Sequence, residues 1–285
     1  MKVWLDGKLV GKEQAVVSVY DHGLLYGDGV FEGIRVYGGR IFKCAQHLDR
    51  LFNGARAIRL EIPYDKPALE KAMLQTVAAD GTQDAYIRLV VTRGIGALGL
   101  HPFTCGRPQV IIIVDTIQLY PQEMYEIGMS VVIASTVRIS PNALSARIKS
   151  LNYLNNIMAR IEAIDAGVPE AIMLNANGMV AEATADNVFI IARRSVITPP
   201  ANSGSLEGIT RGVVMELSRA AGLPMVEADL TRYDLYTCDE CFLTGTGAEL
   251  VPVTQIDRRP VGDGKPGAIT RQLIAAFKKK VREET

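Results

Sequence analysis

Apolar positions along this chain follow two rhythms, one of period two and one near 3.6, and the switches between them lay out the elements. Val3-Trp-Leu5 and Leu9-Val10 flank Asp6-Gly7, which predicts a hairpin. Phe31 to Tyr37, Ala85 to Thr92 and Gln109 to Asp115 alternate as strands, the second with Tyr86, Arg88 and Val90 on one face. Leu48, Leu51, Phe52, Ala55 and Ile58 recur at helical spacing after His47. Another helix is predicted over 65–79, with Asp65 as N-cap and Gly81 as stop.

The second half continues the mixture. Met129 to Ser135 reads as a strand after a stretch from Tyr120 to Gly128 that reads as a connection between domains. A helical run opens around Lys149 and extends to Gly167, with Leu151, Leu154, Ile157, Met158, Ile161 and Ile164 expected to face the core. Glu170 to Glu182 reads as a hairpin turning at Asn177-Gly178, and Asn187 to Ile191 as the next strand. A helix over 210–221, a strand from Glu240 into a Gly/Thr turn, and a helix over 267–281 complete the series.

Composition narrows the class. The 285 residues are 48% hydrophobic and 22% charged, enough for a large core and two domains of ordinary size. Lys+Arg and Asp+Glu number 31 each, which gives no electrostatic reason to expect nucleic acid or an anionic membrane as partner. No apolar run approaches the ~20 residues that span a bilayer, and the N-terminus enters a strand at once, so the cytoplasm is expected. Cys238-Asp-Glu-Cys241 has CxxC spacing, but acidic residues between the thiols oppose thiolate formation and no second ligand pair accompanies it. No metal is expected. Gly94-Ile-Gly-Ala-Leu-Gly99 matches GxGxxG in form only, because Leu100-His-Pro102 continues a loop where a dinucleotide fingerprint opens a helix.

The remaining polar residues carry the candidate chemistry. Lys149 sits between Ile148 and Leu151 at the expected start of a helix, where the macrodipole disfavours a cation and so favours the neutral amine that Schiff-base chemistry requires. Glu182 ends an apolar strand as a candidate buried carboxylate, costly unless paired. Gly208-Ile-Thr210 at a helix start suits either a phosphate or a plain threonine N-cap, and Thr244-Gly-Thr-Gly247 has similar anion-binding character. Arg50 begins a helix beside its apolar face, where it points into a cleft or into solvent. One lysine, one carboxylate, one arginine and two Thr/Gly turns together suit a phosphorylated aldehyde with a basic ring nitrogen.

Seven segments, in order, resemble the branched-chain amino acid aminotransferases, which are fold-type IV pyridoxal-phosphate enzymes. They are the segments 26–35, 47–50, 86–88, 149–153, 182–189, 208–211 and 244–249. The resemblance implies an α/β (α+β) protein of two domains. A small N-terminal α/β domain would span 1–118 and a larger C-terminal pseudo-barrel domain 129–285, with an interdomain loop over 119–128 and the cofactor between the domains. It implies a homodimer whose sites borrow a loop from the partner.

By position, Lys149 would be the catalytic lysine in Schiff-base linkage to pyridoxal 5′-phosphate. Tyr153 would bond the ring oxygen and Glu182 the ring nitrogen, while Arg50, the Ile209 and Thr210 amides and Thr246 would hold the phosphate. The turn at Thr246, Gly247 and Ala248, helped by Tyr86, would bind the substrate carboxylate. Tyr26, Phe31, Gly33 and Arg35 would line the pocket, and Arg88 would accept the second carboxylate of glutamate or 2-oxoglutarate. The implied activity is ping-pong transfer of the amino group from leucine, isoleucine or valine to 2-oxoglutarate. The alternatives within the fold are D-amino acid aminotransferase, faintly echoed by Thr92-Arg93-Gly94 leading to His101, and aminodeoxychorismate lyase.

Overall fold

The computed structural model describes residues 2–285, which divide into two compact units. One runs to Ile117 and takes in Ile148–Asn152 and Glu284–Thr285; the other comprises Gln118–Arg147 and Tyr153–Glu283.

The first unit contains β1 (Lys2–Leu5), β2 (Lys8–Gly11), α1 (His22–Tyr26), β3 (Gly29–Tyr37), β4 (Arg40–Ile41), α2 (Cys44–Ala57), α3 (Lys66–Asp80), β5 (Ala85–Thr92) and β6 (Gln109–Asp115). The strands form one antiparallel sheet in the order β2-β1-β6-β5-β3-β4. Asp6 and Gly7 both take positive φ, 46° and 97°, which is what a tight hairpin turn demands. Asp65 caps α3 by accepting the Ala68 amide at 2.8 Å, and Gly81 ends it in the left-handed region, as the sequence predicts.

Alternation in β5 decides the two faces of this sheet. Ala85, Ile87, Leu89 and Val91 are buried against Leu48, Leu51, Leu69 and Met73 of α2 and α3. A fully buried side chain of this size contributes about 1.5–3 kcal/mol, so this face anchors the sheet. The opposite face carries Phe31, Gly33 and Arg35 of β3 in register with Val90, Arg88 and Tyr86 of β5.

The second unit contains α4 (Gln122–Ile127), β7 (Met129–Ile133), α5 (Leu154–Asp165), β8 (Glu170–Leu174), β9 (Val180–Ala183), β10 (Asn187–Ala192), β11 (Ser195–Thr198), α6 (Ile209–Ala220), β12 (Met225–Glu227), α7 (Arg232–Thr237), β13 (Glu240–Gly245), β14 (Glu249–Ile256), β15 (Arg259–Pro260) and α8 (Ala268–Glu284). Its sheet runs β12-β11-β10-β13-β14-β7-β8-β9, with β15 on β14, and curls until β9 approaches β10. The fold class is the expected mixed α/β one. Within the stretch read as a connection, Tyr120 is buried in this unit's core and α4 lies against β14.

Two expectations are overturned. Lys149 does not open a helix: α5 starts at Leu154, and Lys149 lies in an extended segment bridged to β3. The dipole argument for its neutral amine therefore fails. Nor does α5 bury its large apolar stripe. Leu154, Ile157, Met158, Ile161 and Ile164 are exposed and Leu151 is half-buried, while Asn156, Ala159 and Ala163 are the buried positions. The two alanines, four residues apart, let the helix lie close over β8 against Ala171 and Met173. Periodicity identified the stripe correctly and its direction wrongly.

Candidate active site

Within the first unit, several of the candidate residues gather on and beside β3. The Phe31 amide donates to the Lys149 carbonyl at 2.9 Å and the Leu151 amide to the Gly29 carbonyl at 3.0 Å. This pairing fixes Lys149 beside Phe31, with its Nζ 4.6 Å from the ring centroid. Arg88 places its guanidinium 4.6 Å from the same centroid and 5.7 Å from that of Tyr86. Gly33 explains itself: a Cβ there would lie 1.8 Å from the Tyr86 hydroxyl. Arg35 donates to the Ile117 carbonyl at 3.3 Å. Tyr26 is tied instead to the loop after β5, its hydroxyl accepting from the Gly99 amide at 2.9 Å.

Arg50 is held by a buried carboxylate that the sequence did not single out. Glu32 lies on the helix-covered face of β3, fully buried, and receives Arg50 Nε at 2.7 Å and Nη2 at 2.8 Å. His47 Nδ1 donates to the second carboxylate oxygen at 2.7 Å. Burial alone would raise the Glu32 carboxyl, but the Arg50 charge and the hydrogen bonds of His47 and Arg50 bring it from 4.5 down to about 2. Burial holds His47 below its ordinary value despite that bond.

Arg93, faint echo of a D-specific carboxylate site, is fully engaged elsewhere. Its Nε and Nη2 each bond Asp28 at 2.9 Å, and Nη1 and Nη2 donate to the carbonyls of Arg59 and Ile58 at 2.7 Å.

In the second unit Glu182 is buried and paired. Its Oε1 meets Arg138 Nη2 at 2.8 Å and its Oε2 accepts the Leu206 amide at 2.8 Å. Tyr153 is half-buried just ahead of α5. Helix α6 begins at Ile209 on an N-cap of Gly208, and no side chain caps it. The threonine N-cap reading thus fails: Thr210 lies inside the first turn, buried. Gly208 is required because Asn187 Oδ1 would sit 2.0 Å from a Cβ at that position. Thr246, Gly247 and Ala248 form the turn between β13 and β14, and Asp186 Oδ1 fills the space a Cβ on Gly245 would take, 1.9 Å away.

These surroundings suit a phosphorylated ring. The hydroxyls of Ser205 and Thr244 are buried without a hydrogen-bond partner, whereas most buried hydroxyls find one. Ser205 lies three residues before Gly208, the N-cap of the uncapped helix, and Thr244 pairs in the ladder with Asn187, whose Oδ1 lies against Gly208. Donors at an uncapped helix N-terminus accommodate an anion. Cys238 and Cys241, by contrast, are buried thiols; burial pushes the first to about 12 and the second well above its ordinary value. No metal-binding cluster occurs among the described residues.

Comparison with known proteins agrees with this chemistry. The family described as amino-transferase class IV matches residues 29–256. A putative branched-chain-amino-acid aminotransferase of Methanocaldococcus jannaschii is 46% identical over 278 residues, covering 98% of this chain and 96% of its own. A D-alanine aminotransferase of Bacillus licheniformis is 34% identical, covering 100% of this chain and 99% of its own. Among solved structures, the branched-chain amino acid aminotransferase of Thermobaculum terrenum in its PLP-bound holo form matches with a TM-score of 0.89 at 32% identity, covering 100% of this chain and 94% of that one.

Proposed function

The chain belongs to the class IV aminotransferases, and from that premise we propose that it transfers the amino group between branched-chain L-amino acids and 2-oxoglutarate. Its cofactor is pyridoxal 5′-phosphate. The observation that carries the substrate reading is the Phe31 ring, with the Lys149 amine and the Arg88 guanidinium each 4.6 Å from its centroid. One pocket must accept an aliphatic chain in one half-reaction and a second carboxylate in the other. An apolar ring with a cation over it supports both.

When bound, the cofactor supplies an electron sink that weakens the substrate's Cα–H bond. Lys149 is the residue that would hold the cofactor's aldehyde carbon, and its free amine would serve as the general base for the proton at the substrate's Cα. Glu182 would accept a hydrogen bond from the ring nitrogen, and Tyr153 would donate one to the ring oxygen. Arg50, held by Glu32, and the Ile209 and Thr210 amides with Thr246 are the residues that would hold the phosphate. The turn of Thr246, Gly247 and Ala248, with Tyr86, takes the substrate carboxylate. Phe31, Gly33, Tyr26 and Arg35 line the pocket, and Arg88 takes the second carboxylate. The two half-reactions alternate in ping-pong order.

The engagement of Arg93 with Asp28 and two carbonyls argues against the D-specific alternative, because that cation already has its partners. We further propose a homodimer in the cytoplasm. The exposed apolar stripe of α5 and the exposed Val19, Leu24, Leu98 and Leu100 of the first unit support a second copy as cover. The four free cysteines support a reducing compartment.

The deciding experiment is the visible spectrum of the purified protein before and after L-leucine, with D-alanine as control. Loss of the cofactor band with L-leucine alone is expected. A response to D-alanine alone would move the protein to the D-specific branch, and a response to neither would refute the substrate class.

A further inference from the structure

The Glu182 carboxylate does not stand by itself, and its partner is placed with unusual care. Arg138 is buried, its backbone amide bonded to the Leu174 carbonyl at 2.8 Å. Its Nε donates to the Gly204 carbonyl at 3.1 Å. Its Nη1 donates to Asn155 Oδ1 at 3.1 Å and Asn156 Oδ1 at 2.9 Å. Those amides are themselves fixed: Asn155 Nδ2 donates to the Val137 carbonyl at 2.9 Å and Asn156 Nδ2 to the Thr184 carbonyl at 2.8 Å. These three acceptors are neutral oxygens. The anion that Arg138 meets is Glu182, through Nη2 at 2.8 Å.

We propose that Arg138 is a positioning residue that decides where one proton rests, keeping it on the cofactor's ring nitrogen and off Glu182. The inference rests on the reading that Glu182 faces that nitrogen. A carboxylate buried without a counter-charge tends to neutralise by taking a proton, and the nearest source would be the ring nitrogen. A guanidinium cannot give up its own proton under working conditions, so its charge on Glu182 is permanent. Arg138 thereby makes Glu182 a strong acceptor and a poor base. Without that charge, the proton crosses from the ring nitrogen to the Glu182 oxygen along the same hydrogen bond. The neutral ring then draws less on the Cα–H bond. An opposite charge at contact distance is worth one to three pKa units, so the proton's preference changes by about ten- to a thousandfold.

The test loads the enzyme with pyridoxal phosphate carrying nitrogen-15 in the ring and reads the nitrogen chemical shift at pH 8. Wild type and Arg138→Lys, which keeps the charge, are expected to show a protonated nitrogen. Arg138→Met, or Arg138→Gln if the first does not fold, is expected to show an unprotonated one, with kcat at least about tenfold lower. A merely structural arginine would lower cofactor occupancy or melting temperature without moving the shift of the cofactor that binds. A protonated nitrogen in the Met or Gln variant, or loss of the proton in Arg138→Lys, overturns the proposal. Glu182→Gln separates the premise. If it leaves the nitrogen signal unchanged, the Glu182 assignment falls; if it moves the signal while Arg138→Met does not, that assignment stands and the role of Arg138 falls.

Discussion

Replacing Glu32 by glutamine removes one charge from a buried site that holds Arg50 and His47. The side chain is fully buried. Its carboxyl lies at about 2 against 4.5 for an ordinary glutamate, and that difference corresponds to about 3 kcal/mol of folding stability at pH 7. Removing one partner of a buried ion pair costs a similar ~3–5 kcal/mol, because the other charge is left uncompensated. The pH dependence has a definite sign. The folded value is depressed, so the stabilisation is complete above the unfolded value of 4.5 and is lost as pH falls toward 2. The chain's single tryptophan, Trp4, is buried in the same unit against Tyr64 and reports its unfolding by fluorescence. Urea titration should therefore give Glu32→Gln about 3 kcal/mol less stability than wild type at pH 7, narrowing to roughly half that at pH 3. A gap under about 1 kcal/mol at pH 7, or one that stays constant down to pH 3, would refute the reasoning.

Three more outcomes are expected. Lys149→Ala should lose about 10^4 in transamination with its melting temperature within a few degrees of wild type, as judged by activity and circular dichroism; substantial turnover would remove Lys149 from the chemistry. Arg88→Ala should lower kcat/KM for 2-oxoglutarate by about ten- to a hundredfold while sparing leucine, measured in separate half-reactions; equal losses would make Arg88 structural. Ile161→Glu, on the exposed stripe of α5, should halve the mass seen by analytical ultracentrifugation, and an unchanged mass would move the dimer contact elsewhere.

Local rules read most of the elements because those elements obey local physics. The Asp6-Gly7 turn, the Asp65 cap and the alternation of β5 depend on residues within a few positions of one another, and all three stand in the structure. The proposed site residues were read in a different way, through segments whose order resembles a family. Their electrostatic partners were not. Glu32 stood inside a quoted segment yet read as one more strand residue, and Arg138 stood in a loop with no pattern around it. An ion pair across 44 positions, such as Arg138 with Glu182, leaves no periodic trace, because its geometry is set by strand pairing and not by spacing.

The reversed face of α5 shows where such reading ends. A helical stripe of Leu154, Ile157, Met158, Ile161 and Ile164 demands apolar cover, and a sequence records the demand without recording its source. On the other side, Ala159 and Ala163 look like filler, yet small side chains are what allow a helix to approach a sheet closely. The chain's own core therefore takes the alanine face and leaves the bulky one outward. That arrangement is costly for an isolated chain and economical for a pair of identical ones, since a stripe offered by one copy is offered by both. Lys149 and Tyr153 lie immediately upstream of this helix in the sequence, so a partner covering the stripe is expected to lie near the segment proposed to carry the chemistry.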